Sequence, residues 1–316
     1  MTALILYKDT RIKKMKPKDK VYDTVVPPLI YRLERIEAGE SISPWHKPWV
    51  KDGTDNMLNG LGSARNGVSK RQYNGINWLI LGMMSDHTSR DYFTLNQLKE
   101  LTGNSHPVPN EVFKDAYDVV FYKTLVGTDD KTGKDKRIPF MRTYKVWNRD
   151  QIPGLPEPTP DVVAPDFNPT TEIDKYISNL ELRGGIHIGG DRAFYRPSDD
   201  AIALPQDSSF TSDAERESTK AHEGIHATGA KHRLDRKKGD KYENAYAYEE
   251  LVAELGAAMT CSYIGIPLEQ LQHTQYIKSW LTALKNDKSY IFSAAAEANK
   301  AFQYLTGDKY VNTANK

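Results

Sequence analysis

The stretch from Ile152 to Thr170 reads IPGLPEPTPDVVAPDFNPT, with six prolines in nineteen residues. Each proline lacks a backbone N–H and fixes φ, so this stretch can form neither a helix interior nor a central strand. It reads as a semi-rigid extended linker over 152–170. It divides a chain of 316 residues into two pieces, each long enough to bury a core. The pieces differ in charge. Residues 1–154 carry 25 Lys+Arg against 18 Asp+Glu, and residues 155–316 carry 18 against 24. The net charge of +1 therefore hides a basic half joined to an acidic half, which points to different partners for each. Seven of the basic side chains fall in residues 1–20. These read as a basic flexible tail, either solvated or aimed at phosphates.

Composition removes several classes. No run approaches eighteen apolar residues, so no membrane partner is expected. A single cysteine, Cys261, permits neither a disulfide framework nor a multi-cysteine metal site. The segment Ala3–Tyr7 is too short for a signal-peptide core. The expectation is a cytoplasmic α+β protein of two domains, 21–151 and 171–316.

In the first domain, apolar residues at Val25, Val26, Leu29, Ile30, Leu33 and Ile36 have helical spacing. Pro27 and Pro28 set the start of that helix near Pro28, and Gly39 ends it. Ile76–Met84 is a second helical or strand run. Thr94–Thr102 is a short helix, and Val119–Val126 and Phe140–Trp147 are strands joined by a turn over 127–138. In the second domain a helix near Thr171–Leu182 precedes strand-like pieces at Ile186–Ile188, Ala193–Tyr195 and Ala201–Leu204. Helical runs follow at 213–228, 246–264 and 274–305. Strands first and helices after is an α+β order.

Residues 222–226 read HEGIH. Two histidines four apart lie one above the other on a helix face and can share one metal ion. Glu223, about 100° round the helix from His222, can reach a water at the metal without being a ligand. Ser212-x-x-Glu215 is a capping box ahead of the motif and Gly229 a stop after it. Gly224 costs this helix roughly 1 kcal/mol against Ala.

A catalytic zinc takes three protein ligands and leaves one position open. The run YAYEELVAELGAAM, 246–259, supplies the third. Glu250 is assigned as ligand and Glu254 as the residue that orients a ligand histidine. The reverse assignment stands as an alternative, as does His232. Glu249 is read as solvated. One zinc per chain would acidify water and polarise a carbonyl, and Glu223 would move the proton, which gives peptide-bond hydrolysis of an unknown protein substrate. A purely structural zinc usually closes with four Cys/His ligands. Ala201–Pro205 could be the edge strand that pairs with an extended substrate, or an ordinary edge strand.

In the basic half, Arg65, Lys70 and Arg71 are interleaved with Tyr73 and Trp78, and Trp45, His46, Lys47 and Trp49 form a second cluster. Cations track phosphates and aromatic faces stack unpaired bases, so Arg65, Lys70, Arg71, Tyr73, Trp45 and Lys47 are candidate contacts to single-stranded DNA. The alternative for such aromatics is a core, and Trp78, inside an apolar run, belongs there.

The segments in order resemble the ArdC-type antirestriction proteins of conjugative plasmids and phages. The resemblance runs through PWHKPW (44–49), the Asn66–Asn77 segment, YKVWNRDQIPGLP (144–156) and GGDRAFYRPSDDAIALP (189–205). It continues through AHEGIHATGAKHRLDR (221–236), YEELVAELGAA (248–258) and residues 276–301. It implies a single-stranded-DNA-binding domain followed by a zincin-like metallopeptidase domain, and protection of incoming DNA from host restriction. Carried over by position, it puts the metal on His222, His226 and a glutamate of the EELVAE segment, with Glu223 as base. The chain departs from the pattern at HPVPNEVFKDA (106–116), where a basic glycine-rich loop is usual, and at Ala230 and Gly224. Two rival functions are a regulatory zinc protease without DNA binding and a non-enzymatic DNA-binding shield with structural zinc.

Overall fold

The computed structural model describes residues 17–39, 64–85, 87, 89–128, 135–156, 168–237, 242, 244–266 and 277–307. Trp45 and Lys47 lie outside the described residues, as do most of the tail and residues 157–167 of the linker.

Helix α1 spans Pro17–Glu37, so it begins eleven residues before the expected start, and residues 17–20 are its first turn. Pro27 and Pro28 sit inside it on the exposed side. Asp23 and Thr24, whose carbonyls the prolines leave without an intrahelical N–H, are exposed and half-buried, while Val21, Val25, Val26, Leu29, Leu33 and Ile36 stay buried. A buried apolar stripe this long outweighs two proline defects.

The first sheet has the order β1-β2-β4-β3, with β1 Arg65–Asn66, β2 Asp91–Thr94, β3 Tyr117–Thr128 and β4 Asp135–Asn148. Only β1 and β2 run parallel. Helix α2, Ile76–Met84, and helix α3, Leu95–Thr102, pack on it. Thr94 caps α3 through a reciprocal bond pair with Gln97. Segment 106–116 lies over the sheet: Val108 is buried beside Phe93 and Trp147, and Trp147 Nε1 donates to the Val112 carbonyl. The described β3–β4 strands reach Thr128 and Asp135, so the connection is shorter than the expected turn.

Helix α4, Pro169–Ser178, leads into a second sheet of order β5-β7-β6: β5 Gly185–Ile188, β6 Phe194–Arg196 and β7 Ala201–Leu204. Strand β7 is central, so Ala201–Pro205 cannot be the edge that pairs with a substrate. Among the described residues the two edges of this sheet are β5 and β6. Four helices complete the fold: α5 Asp213–Thr228, α6 Ala245–Tyr263, α7 Ile277–Asn286 and α8 Ser289–Thr306. The single run expected over 274–305 is thus two helices. They separate at Asp287, whose side chain accepts the Ser289 N–H at 2.8 Å and opens a new N-terminus.

The main hydrophobic cluster crosses from one half of the chain to the other. It joins α1 and Trp78, Leu79 and Ile80 of α2 to α4 through α8. Lys285 of α7 reaches Glu34 of α1 at 2.6 Å. No helix among the described residues is long and apolar enough to cross a membrane.

Candidate metal centre

Helix α5 starts at Ser212, whose Oγ accepts the Glu215 N–H at 3.1 Å. The box is not reciprocal, because Glu215 turns to the Thr211 N–H and hydroxyl at 2.7 and 2.6 Å. Sixteen residues on, the helix ends at Gly229 with φ −73°. That glycine is therefore not required for a left-handed cap. A Cβ there would come within 2.7 Å of the Arg236 guanidinium, so Gly229 makes room for Arg236 to fold back. Gly224 has a similar use. Its missing side chain is filled by Ile177 of α4, whose Cδ1 would lie 2.5 Å from a Cβ.

Helices α5 and α6 meet at close range, with Ile225 packed on Gly256. This approach brings α6 carboxylates to α5 imidazoles. His222 Nε2 and His226 Nε2 converge to 3.1 Å. Glu250 faces both, with Oε2 3.5 Å from His222 Nε2 and Oε1 3.5 Å from His226 Nε2. One donor atom from each of the three residues lies within 4.8 Å of the others. All three side chains are largely withdrawn from solvent.

A second ring of carboxylates stands behind the histidines. Glu254 Oε1 lies 3.6 Å from His222 Nδ1, and Glu249 Oε1 lies 3.3 Å from His226 Nδ1. Glu249 is not simply solvated, as the sequence had suggested. The buried Arg236 guanidinium clamps it through Nε at 2.9 Å and through Nη2. Arg236 also donates to the Ile225 carbonyl at 2.9 Å and the Thr228 hydroxyl at 3.0 Å, which ties off the end of α5. In sequence, Glu249 is about 100° of helix away from Glu250, and nothing linear places it near His226 or Arg236.

The charges are strongly coupled. Burial opposes protonation of His226, but the Glu249 and Glu250 carboxylates outweigh it and push its pKa up to about 9. His222 is lowered by burial. Burial alone would raise Glu250 and Glu249, yet the histidines hold Glu250 low, and Arg236 holds Glu249 low. Glu223 is buried and its carboxyl is raised, chiefly by desolvation. The backbone N–H of Tyr195, on strand β6, reaches the Glu223 carboxylate.

His232 is apart from the cluster: it is half exposed and its Nε2 lies 3.3 Å from Asp200 Oδ2. The candidate DNA contacts scatter. Arg65 is buried and paired with Asp91, and Tyr73 is buried in the sheet core against Tyr92. Lys70 reaches the same Asp91 at 3.0 Å, and Arg71 is exposed. Trp78 is a core residue, as expected.

Residues 19–147 match the model of the N-terminal domain of anti-restriction factor ArdC, and residues 171–297 match a zincin-like metallopeptidase family. The crystal structure of the antirestriction ArdC protein from plasmid R388 is similar in its metal-free form (TM-score 0.67, 32% identity, covering 92% of this chain and 97% of that one). The Mn(II)-bound form gives TM-score 0.65 and 32% identity, covering 95% of this chain and 99% of that one. An uncharacterized protein, y4eC, of Sinorhizobium fredii is 30% identical over 298 residues, 90% of this chain and 91% of that protein. DNA primase TraC of Escherichia coli is 30% identical over 307 residues, 93% of this chain but only 20% of the primase. With two domain models in sequence and relatives aligned nearly end to end, the chain belongs to the ArdC antirestriction family.

Proposed function

We propose that the protein is a cytoplasmic antirestriction factor that binds single-stranded DNA and hydrolyses peptide bonds at a zinc centre, protecting incoming DNA from host restriction. The observation that carries the peptidase reading is the convergence of His222 Nε2, His226 Nε2 and Glu250. Two imidazoles and one carboxylate form a donor set suited to zinc, and three protein ligands leave the open position that catalysis needs. Manganese in the R388 relative is compatible with the same donors. When bound, the cation would polarise the scissile carbonyl and acidify water.

The chain's own groups do the rest. Glu223, made more basic by burial, accepts a proton from the attacking water and returns it to the leaving amine. Glu249 and Glu254 hold the two imidazoles in orientation through their Nδ1 atoms. Strand β6, one of the two edges of its sheet, lies next to Glu223, where an extended peptide would pair by main-chain hydrogen bonds. A buried Glu223 outside the ligand set favours this reading over structural zinc, which has no use for a base.

Cleavage of a mixed peptide library by the zinc-loaded full chain tests it. Glu223→Gln should keep the metal and the fold and lose cleavage. Equal cleavage by both proteins would refute the catalytic assignment. DNA protection is measured separately, as transfer of unmodified DNA into restricting and non-restricting hosts.

A further inference from the structure

Strands β3 and β4 pair over twelve positions, Tyr117↔Val146 to Thr128↔Asp135, but only the root of this hairpin is in a core. Val119 and Val146 are buried with Tyr73, Leu81 and Tyr92. Residues 121–128 extend beyond, at about 3.4 Å each for roughly 27 Å, with Met141, opposite Tyr122, still packed on the main hydrophobic cluster from the other face. This arm leaves Tyr122, Leu125, Val126 and Phe140 exposed. Exposed apolar surface of this extent marks an interaction site more often than a structural need.

One face of the arm has a specific chemistry. Alternation puts Phe121 and Lys123 on the same face as Leu125, with Arg142 directly opposite Phe121 and Phe140 directly opposite Lys123. Rings and cations therefore form a checkerboard. The Phe121 and Phe140 rings are 6.4 Å apart at 70°, and the Arg142 guanidinium sits 5.3 Å from the Phe121 centroid. The described residues of this face, from Tyr117 to Leu125 and from Phe140 to Val146, include no carboxylate. Asp118 and Asp135 belong to the opposite face.

We propose that this face, built on Phe121, Lys123, Phe140 and Arg142, is the platform that binds single-stranded nucleic acid. Unpaired bases stack on the phenyl rings, and phosphates pair with Lys123 and Arg142. The assignment rests on the single-stranded-DNA reading above and replaces Arg65 and Tyr73 as its contacts. A duplex fits poorly, because its base faces are already stacked inside. A second copy of the chain also fits poorly: face-to-face pairing would oppose like charges, and Pro139 within β4 removes a donor from that strand's edge.

The test is fluorescence anisotropy of the full chain with a labelled thirty-nucleotide oligothymidine, at several salt concentrations, against a duplex of equal length. Phe140→Ala should weaken single-strand binding between about fivefold and a hundredfold and leave the salt dependence unchanged. Arg142→Ala should weaken binding and flatten the slope of log affinity against log salt by about 0.7. Phe140→Trp should bind like the wild type and Phe140→Leu should not, which separates stacking from loss of bulk or fold. Full affinity in Phe140→Ala and Arg142→Ala, with a wild type that binds, would overturn this platform and leave the DNA reading standing. A wild type that does not bind single strands would overturn both. A dimer in sedimentation that the arm variants dissociate, without change in DNA affinity, would make the arm an interface between copies and overturn the platform.

Discussion

Glu249 Oε1 lies 3.3 Å from His226 Nδ1, on the far side of the ring from the Nε2 that faces His222 and Glu250. Arg236 holds that carboxylate from behind, with its own side chain only 1% exposed. This chain of contacts fixes which nitrogen of His226 is free to bind a metal. Glu249→Gln should therefore lower zinc affinity of the full chain about tenfold to a hundredfold, measured by competition with a chelating dye, while circular dichroism stays unchanged. Unaltered affinity would reduce Glu249 to a partner of Arg236 alone.

Gly256 sets the spacing between the helices that carry the histidines and the glutamates. A Cβ there would meet Cδ1, Cγ1 and Cγ2 of Ile225, each at 2.9 Å. No rotation of one terminal methyl relieves three such contacts. Gly256→Ala should destabilise the protein by about 1–3 kcal/mol and weaken zinc binding, because Glu250 moves away with α6. Combined with Ile225→Ala, the loss in urea unfolding should be smaller than the sum of the two single losses. Strict additivity would show that the two residues do not limit the approach.

Asp200 is fully buried between β6 and β7 at φ +57°. Its carboxylate accepts Arg233 Nη1 at 2.7 Å and Nη2 at 3.0 Å, and the Tyr195 hydroxyl at 2.9 Å. Burial alone would raise this carboxyl, but these partners hold it well below the usual range. A carboxyl depressed by folding adds stability that is complete above its unfolded pKa, about 3.9, and is lost as pH falls toward the folded value. Asp200→Asn keeps a residue that tolerates positive φ and leaves Arg233 buried without its charge partner. It should cost about 3–5 kcal/mol at pH 7. Between pH 5 and 3 the variant should lose less further stability than the wild type in thermal melts. Parallel losses in both proteins would remove Asp200 from the acid response.

Much of this was legible in the sequence where one element carries the signal. The bounds of α5 follow from period and caps, those of α2 from its apolar run although the run alone does not choose between helix and strand, and the HEGIH spacing alone puts two rings on one face. The start of α1 did not follow, because a proline pair is a local cue and the buried stripe that overrides it is tertiary. Strand β2 is not legible in the sequence, since its apolar run is only Tyr92 and Phe93. Linear interleaving of cations and rings makes Arg65 and Tyr73 candidate surface contacts, but it does not say which side faces water. Phe121 and Phe140 are nineteen residues apart and meet only across a hairpin. Glu249 and Arg236 meet only because Gly229 lets the chain fold back over the end of α5.

The central claim is that His222, His226 and Glu250 together hold one catalytic cation beside Glu223. Metal content of the purified full chain, after zinc loading and removal of free ion, tests it most directly. Wild type and Glu223→Gln should each carry about one zinc per chain, and His222→Ala and Glu250→Ala should carry much less. A Glu250→Ala protein that keeps one tightly bound zinc would contradict the assignment of the third ligand and, with it, the geometry on which the peptidase reading rests.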